Sequence, residues 1–403
     1  MQFFHFTEMP YPYVPPEVEE QHGGLKYFMP NKYFDPLKAH DLYQRYFDEY
    51  ELADELGFNV MVNEHHQSAA TLHVSASLSA ATVIQRTRNG RVLVLGTPVP
   101  HHPSPVRIAE EMAFLDNISG GRVNCGFVRG VQGETYPSNA NPARNLDMFF
   151  EAHDLIQEAW RQRDIFSWEG EFYHYRYVSI WPRPFQQPVP PVWVSGTAER
   201  LVRWTAEQEH TLCNLLGAYD DAANTFRLYR RTAADAGLGE PGPDKFAYLA
   251  LCHVAETEEK AREIGEKLMF YLRAGRMRLG AAIPPGYSSA SDAVAAMRGT
   301  MGAVRRKSFE ELIEAGIALV GTPDQVVAQI ERLYAKTGVG NIVLMNQAGE
   351  MTSNEVRDSI MLFAREVMPR VQHLGVNWGD DDTSWRIAND TAPIAPVLAS
   401  AVS

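Results

Sequence analysis

Eight short runs rich in β-branched residues, alternating with long amphipathic stretches, restrict this chain more than any other feature. They are Phe3–Phe6, Val60–Asn63, Val92–Leu95, Val123–Phe127, Val192–Ser195, Thr211–Leu215, Phe246–Val254 and Asn341–Met345. Alternation of this kind builds βα units around a parallel sheet, and eight units suffice to close it. The predicted fold class is α/β, a (β/α)8 TIM barrel. No repeat of solenoid or propeller period competes with that reading. Between the runs, Leu42, Tyr46, Leu52 and Leu56 fall at helical spacing. Thr322-Pro323-Asp324-Gln325 is a capping box with proline at the first helical position, closed by Gly338.

Two connections exceed ordinary length. Thr7–Lys38, rich in Pro and Tyr, follows the first strand, and Arg273–Glu314 lies between strands 7 and 8. Both leave the C-terminal end of a strand, where a barrel carries its active site, so they are expected to be pocket walls or lids. A surface elaboration without function is the alternative for each. In particular Arg273–Glu314 is the expected lid, and Tyr11, Tyr13, Phe28 and Tyr33 are candidate walls for an apolar or aromatic substrate, core packing being the other fate of such rings. The barrel domain is expected over residues 1–372, with insertions at about 7–38 and 273–314. Residues 373–403 read as a mobile tail, whose Trp378 and Trp385 leave room for docking on the barrel or a second subunit.

Charge narrows the partners. Acidic residues outnumber basic ones by 50 − 37 = 13, which repels phosphate backbones and anionic lipid, so nucleic acid is excluded as a partner. The chain opens without a basic n-region and reaches Glu8 and Pro10 before any signal-length apolar run, and no uncharged stretch spans a membrane. Cys125, Cys213 and Cys252 are odd in number and set among apolar neighbours, as buried thiols of a reducing compartment are. A cytoplasmic protein is expected.

The residues that carry chemistry sit where strands end. Asn63-Glu64-His65-His66 directly follows strand 2. His65 is the candidate general base, since imidazole titrates near neutrality, with His66 and Glu64 as orienting partners. Two histidines satisfied within a loop are the alternative; as metal ligands the adjacent pair diverges and lacks a third partner, so no metal is assigned. Strand 3 ends in Leu95-Gly96-Thr97-Pro98, where glycine lets backbone approach a flat ligand. Strand 4 ends in Gly126-Phe127-Val128-Arg129-Gly130, and a guanidinium there suits a phosphate, a surface salt bridge being the alternative. Ser195-Gly196-Thr197-Ala198 opens a helix and offers backbone N–H groups to a phosphate, unless it is an ordinary N-cap. Together these ends outline a flavin-shaped site.

In their order along the chain these segments resemble the bacterial luciferase-like, flavin-dependent monooxygenase superfamily. The matching stretches are Glu64-His65-His66; Pro105-Val106-Arg107-Ile108-Ala109-Glu110 through Leu115-Asp116 to Ser119-Gly120-Gly121-Arg122; Gly126 through Arg129-Gly130; Val320-Gly321-Thr322-Pro323; and Asn341-Ile342-Val343 leading to Phe363 and Val367-Met368-Pro369. The resemblance implies a TIM barrel that binds reduced FMN at the strand C-termini and activates O2 as a flavin C4a-hydroperoxide to oxygenate a small organic substrate. It implies that His65 is the catalytic histidine and that Arg129 and Ser195–Ala198 contact the phosphate. Gly96 and Thr97 then form the bulge against the ring, with Asn63 also among the cofactor-binding residues. Val128 stands where luciferase itself has a reactive cysteine, and the 7–38 insertion is longer, both of which argue against light emission on a long-chain aldehyde. No Gly-x-Gly-x-x-Gly follows a strand, the Gly126–Gly133 cluster having the wrong spacing, so a separate NAD(P)H:flavin reductase is expected to supply the reduced flavin. A homodimer is implied by the resemblance. Two other readings remain open here: a deazaflavin (F420)-dependent oxidoreductase on the same barrel, and a non-catalytic flavin-binding subunit.

Overall fold

All eight expected barrel strands form. The computed structural model describes residues 1–135, 137–274 and 304–375. Its strands are β1 (Gln2–Thr7), β2 (Asn59–Val62), β3 (Val92–Pro98), β4 (Val123–Val128), β5 (Phe166–Glu169), β6 (His174–Val178), β7 (Val192–Ser195), β8 (Thr211–Leu215), β9 (Phe246–Val254), β10 (Ala318–Gly321) and β11 (Asn341–Gln347). Parallel pairing runs β1-β2-β3-β4-β7-β8-β9-β11, and β11 pairs with β1, which closes an eight-stranded TIM barrel.

The side-chain alternation of β1 shows how the barrel fills. Phe4 meets Trp193 of β7 edge-to-face at 5.3 Å, although the two strands lie four places apart in the ring. That contact crosses the lumen, so even positions of β1 point inward and odd ones outward. Outward Phe3 packs on Phe363 at 5.1 Å, and outward His5 meets Tyr50 of the helix beyond at 5.2 Å. Fully burying a ring such as Phe4 contributes about 1.5–3 kcal/mol, which is why the pattern is legible as alternation.

Helices fill the outside. α1 (Pro16–His22) lies within the first insertion; α2 (Pro36–Glu55) begins earlier than the apolar spacing indicated, because Asp35 caps it through the amides of Leu37 and Lys38 and Pro36 takes the first position. α3 (Ala76–Arg86), α4 (Pro105–Ser119), α5 (Asn145–Arg161), α6 (Glu199–Glu207), α7 (Tyr219–Asp235), α8 (Glu258–Gly265), α9 (Met269–Ala274), α10 (Phe309–Ala315), α11 (Pro323–Thr337) and α12 (Ser353–Leu362) follow. The Thr322–Gln325 capping box starts α11, and Gly338 ends it in the left-handed conformation at φ 65°.

Three strands lie outside the sequence prediction. β5 and β6 form an antiparallel ladder between α5 and β7. β10, only four residues long with a glycine at its end, extends the far half of β9, pairing Ala318 with Leu251 and Gly321 with Val254. The Ser119–Arg122 segment holds the opposite end of the barrel: the Arg122 guanidinium donates to the carbonyls of Ile84, Thr87 and Gly90. Asp116 accepts from the backbone and side-chain amides of Gln186 at 2.8 and 2.7 Å. These are stability contacts at the N-terminal face rather than site residues. All three cysteines are buried thiols. Most of the expected lid and all of the tail beyond residue 375, with Trp378 and Trp385, lie outside the described residues.

Candidate active site

His65 leaves β2 with its backbone N–H donating to the carbonyl of His73 at 2.8 Å, and that bond aims the ring at the barrel mouth. Its Nδ1 bonds the carboxylate of Glu134, in the loop after β4. Its Nε2 lies 3.6 Å from Oε1 of Glu8, just past β1. Asn63 steadies the second carboxylate by donating from Nδ2 to Glu8 Oε2 at 3.0 Å. Three strand ends therefore converge on one imidazole.

Electrostatics set its protonation. Burial and the Lys26 ammonium push the His65 pKa down, but Glu134 and Glu8 outweigh them and raise it to about 9. Burial pushes Glu8 and Glu134 up, yet His65 and Lys26 hold both below the usual carboxylate range. The expectation of an imidazole poised near neutrality is corrected: His65 is an imidazolium at pH 7, a proton donor flanked by two carboxylates.

Glu64 and His66 stand apart from that cluster. Glu64 Oε1 accepts from Nε2 of His66 and Nε2 of His102, each at 2.8 Å, and Oε2 accepts from the amide of Ala76 at the start of α3 at 2.9 Å. Burial pushes its carboxyl up, but the two histidines and that amide bring it down to about 2. Glu64 thus ties the β2 and β3 loops to a helix N-terminus, and His66 bonds it rather than His65. No group of three metal-ligating side chains occurs among the described residues.

At the end of β3 the pairing with β4 slips one place between Leu95 and Thr97, and the Leu95–Gly96 peptide is cis. A Cβ on Gly96 would lie 2.3 Å from Cγ1 of Val128. The glycine is needed by the neighbouring strand, at the irregularity where the β3 end is expected to meet a ligand. Thr97 is buried, and its Oγ1 has no protein partner. Gly130, at φ 81°, packs its bare α-carbon on His101, whose Nε2 accepts from Asn145 at 3.2 Å. Asn145 also donates to the Arg129 carbonyl at 3.4 Å, so the backbone of Arg129 is fixed while its side chain is exposed. Arg129 makes no ion pair among the described residues, so the salt-bridge alternative is not what is observed. Register pairs Phe127 with Val194, which places Arg129 beside the Ser195–Ala198 turn. Ser195 is buried, Gly196 half-buried, and Thr197 and Ala198 are exposed. Ala198 is the N-cap of α6 and no side chain caps it, so Ser195 and Thr197 do not serve as an ordinary cap.

Four buried polar atoms in this arc lack a protein partner: Asn63 Oδ1, Thr97 Oγ1, His101 Nδ1 and Asn145 Oδ1. Each is a buried group whose hydrogen bond is left for a water or a polar ligand to make. The rings expected at the substrate wall divide between core and surface. Tyr11 is buried against Tyr13 and Phe34 at 5.4 and 5.2 Å, its oxygen accepting from the Asp35 amide, and Tyr13 and Phe28 are exposed. The cleft beside Glu8 is lined instead by Lys26, Ala70, Thr71, Tyr271 and Arg305, and its volume of about 20 Å³ admits a water-sized group. Sequence reasoning missed Glu8, Lys26, Glu134, Tyr271 and Arg305. Only Glu8 carried a signal, standing directly past a barrel strand as Asn63–His66 do.

The luciferase-like monooxygenase family matches residues 27–341. Limonene 1,2-monooxygenase of Rhodococcus erythropolis is 26% identical over 331 residues, covering 79% of this chain and 79% of the relative. The crystal structure of monooxygenase RslO1 from Streptomyces bottropensis superposes with a TM-score of 0.70 at 25% identity, over 92% of this chain and 99% of that one. The coenzyme F420-dependent tetrahydromethanopterin reductase of Methanopyrus kandleri shares the fold, with a TM-score of 0.63 at 18% identity over 91% of this chain and 98% of that one.

Proposed function

Because the chain belongs to the luciferase-like monooxygenase family, we propose that it is an FMN-dependent monooxygenase of the two-component type, served by a separate NAD(P)H:flavin reductase. The observation that carries this reading is the imidazolium of His65 clamped by Glu8 and Glu134 beside an arc of unpartnered polar atoms. Reduced FMN, when bound, supplies the electrons that activate O2 so that one oxygen atom passes to an organic substrate and the other leaves as water.

The chain's own residues fit that group. Arg129 and the uncapped start of α6 after Ser195-Gly196-Thr197-Ala198 supply a free guanidinium and backbone N–H donors for the phosphate. Asn63, Thr97 and Asn145 supply unpartnered polar atoms for the ring's edge. His65 donates a proton from Nε2 where negative charge develops, Glu134 fixes its ring through Nδ1, and Glu8 holds the charge in place. The reading places the protein in the cytoplasm, with the reductase. The same reading includes a homodimer.

The F420 reading is separated by binding. Anaerobic titration is expected to show tight reduced FMN and no selective deazaflavin binding, and NAD(P)H oxidation only after a flavin reductase is added. Selective deazaflavin binding, or NAD(P)H oxidation by the chain alone, contradicts the proposal.

A further inference from the structure

The charge balance at the mouth is uneven. Two carboxylates, Glu8 and Glu134, face two cations, His65 and Lys26, and these four neutralise one another. Tyr271 bonds Glu8. Arg305 is the fifth charge. It lines the same cleft, its charged and phenolic neighbours are Tyr271 and Tyr27, and its Nε is buried with no protein partner. Burial holds the phenols of Tyr27 and Tyr271 above their ordinary range, so neither supplies the missing negative charge. No carboxylate stands within ion-pair distance of Arg305 among the described residues. A buried guanidinium donor without an acceptor is costly to keep and points to an acceptor that arrives from outside.

The place of this surplus in the ring says which molecule brings it. Glu8 and Lys26 follow β1, and Tyr271 and Arg305 come from the segments between β9 and β11, so the cluster occupies the β9-β11-β1 arc. Arg129 and Ser195–Ala198 follow β4 and β7, on the opposite arc, with His65 after β2 between the two. A phosphate on the far side leaves the Arg305 side to the second reactant.

We propose that the substrate carries an anionic group of the carboxylate class, and that Arg305 holds it across the barrel mouth from the phosphate corner so that the rest of the molecule faces His65. This rests on the oxygenase reading for the word substrate, but the anion site stands on Arg305 alone. Such a site selects acids over their neutral amides or esters, because a neutral group leaves the half-buried guanidinium unmatched.

The test uses acetate and acetamide, a charged and a neutral molecule of nearly the same size, at fixed ionic strength, read by thermal shift and ligand-observed NMR on the full chain. Acetate is expected to bind and raise Tm where acetamide does not, with acetate binding at least tenfold weaker in Arg305→Met and largely kept in Arg305→Lys. Reduced FMN binding to Arg305→Met serves as the folding control and is expected to be unchanged. The same titration repeated on the protein loaded with reduced FMN separates the two sources of anion. Acetate that still binds supports a substrate site, and acetate displaced by FMN but not by riboflavin assigns the cluster to the cofactor's phosphate and overturns the proposal. Equal binding of acetate and acetamide, or acetate binding unchanged in Arg305→Met, also overturns it. Failure of reduced FMN to bind the unaltered protein, with acetate discrimination intact, would instead remove the oxygenase reading and leave the anion site.

Discussion

His65 Nε2 lies 3.6 Å from Glu8 Oε1, while the opposite face of the ring, Nδ1, is bonded to Glu134. An imidazole between two carboxylates is a proton donor whose strength depends on both. With His65 raised to about 9, activity that requires the imidazolium is expected to fall as pH rises through that value. Glu134→Gln removes one carboxylate and is expected to move the alkaline limb down by about 1–2 pH units, the usual effect of one nearby charge. A pH profile of kcat/KM for both proteins measures this, and an unmoved limb would mean that another group titrates.

Arg129→Ala is expected to weaken reduced FMN binding by about 1.5–3 kcal/mol, roughly 10- to 150-fold, the scale of a hydrogen bond to a charged group. Its side chain is exposed and unpaired, so stability is expected to stay within about 0.5 kcal/mol. Equilibrium titration against FMN and riboflavin checks it. The variant should lose the preference for the phosphorylated form, and a retained preference would place the phosphate elsewhere.

How much of this was legible in the sequence follows from the range of the interactions. Barrel strands are written in local composition, and each of the eight was marked because burial on both faces demands an apolar run. The capping box at Thr322 is equally local. The positions of Asn63–His66, Arg129 and Ser195–Ala198 at strand ends could be read for the same reason. What could not be read is which side chains meet. Glu8 and Glu134 are 57 and 69 residues from His65, and only ring closure and loop path bring them there. The direction of the histidine's titration depends on those long-range partners, so sequence gave the residue and mistook its charge. Lys26 and Arg305 lie in or beside long connections that carry no periodic pattern.

Stability should respond to pH in two opposite ways. Burial lowers His5 and His73 to about 4 each, so below pH 6.5 the unfolded chain takes up protons that the native chain refuses. Unfolding free energy is expected to drop between pH 6.5 and 4 by about 1.4 kcal/mol per pH unit for each such histidine. His65 acts in reverse, its contribution being complete below 6.5 and lost as pH rises through about 9. Urea midpoints across this range check both, and a flat profile from 6.5 to 4 would contradict the buried neutral histidines.

Two glycines should behave differently. A Cβ on Gly126 would lie 2.5 Å from the Leu95 Cα and the Val94 carbonyl oxygen, backbone atoms that cannot step aside, so Gly126→Ala is expected to cost about 1–3 kcal/mol or more. Gly57, at φ 90°, has open space around it, so Gly57→Ala is expected to cost only the left-handed penalty of about 1–2 kcal/mol. Only the first should also disturb flavin affinity, since it displaces the β3 end that carries Thr97. Equal losses of affinity would argue against that end as part of the site.

The most direct measurement is rapid mixing of the protein, loaded anaerobically with stoichiometric reduced FMN, with oxygenated buffer while flavin absorbance is followed. A monooxygenase site predicts binding of the reduced cofactor and return of oxidised FMN in a separate, slower phase than reaction with O2. Reoxidation in a single phase at the rate of free reduced FMN, with no bound cofactor, would contradict the account.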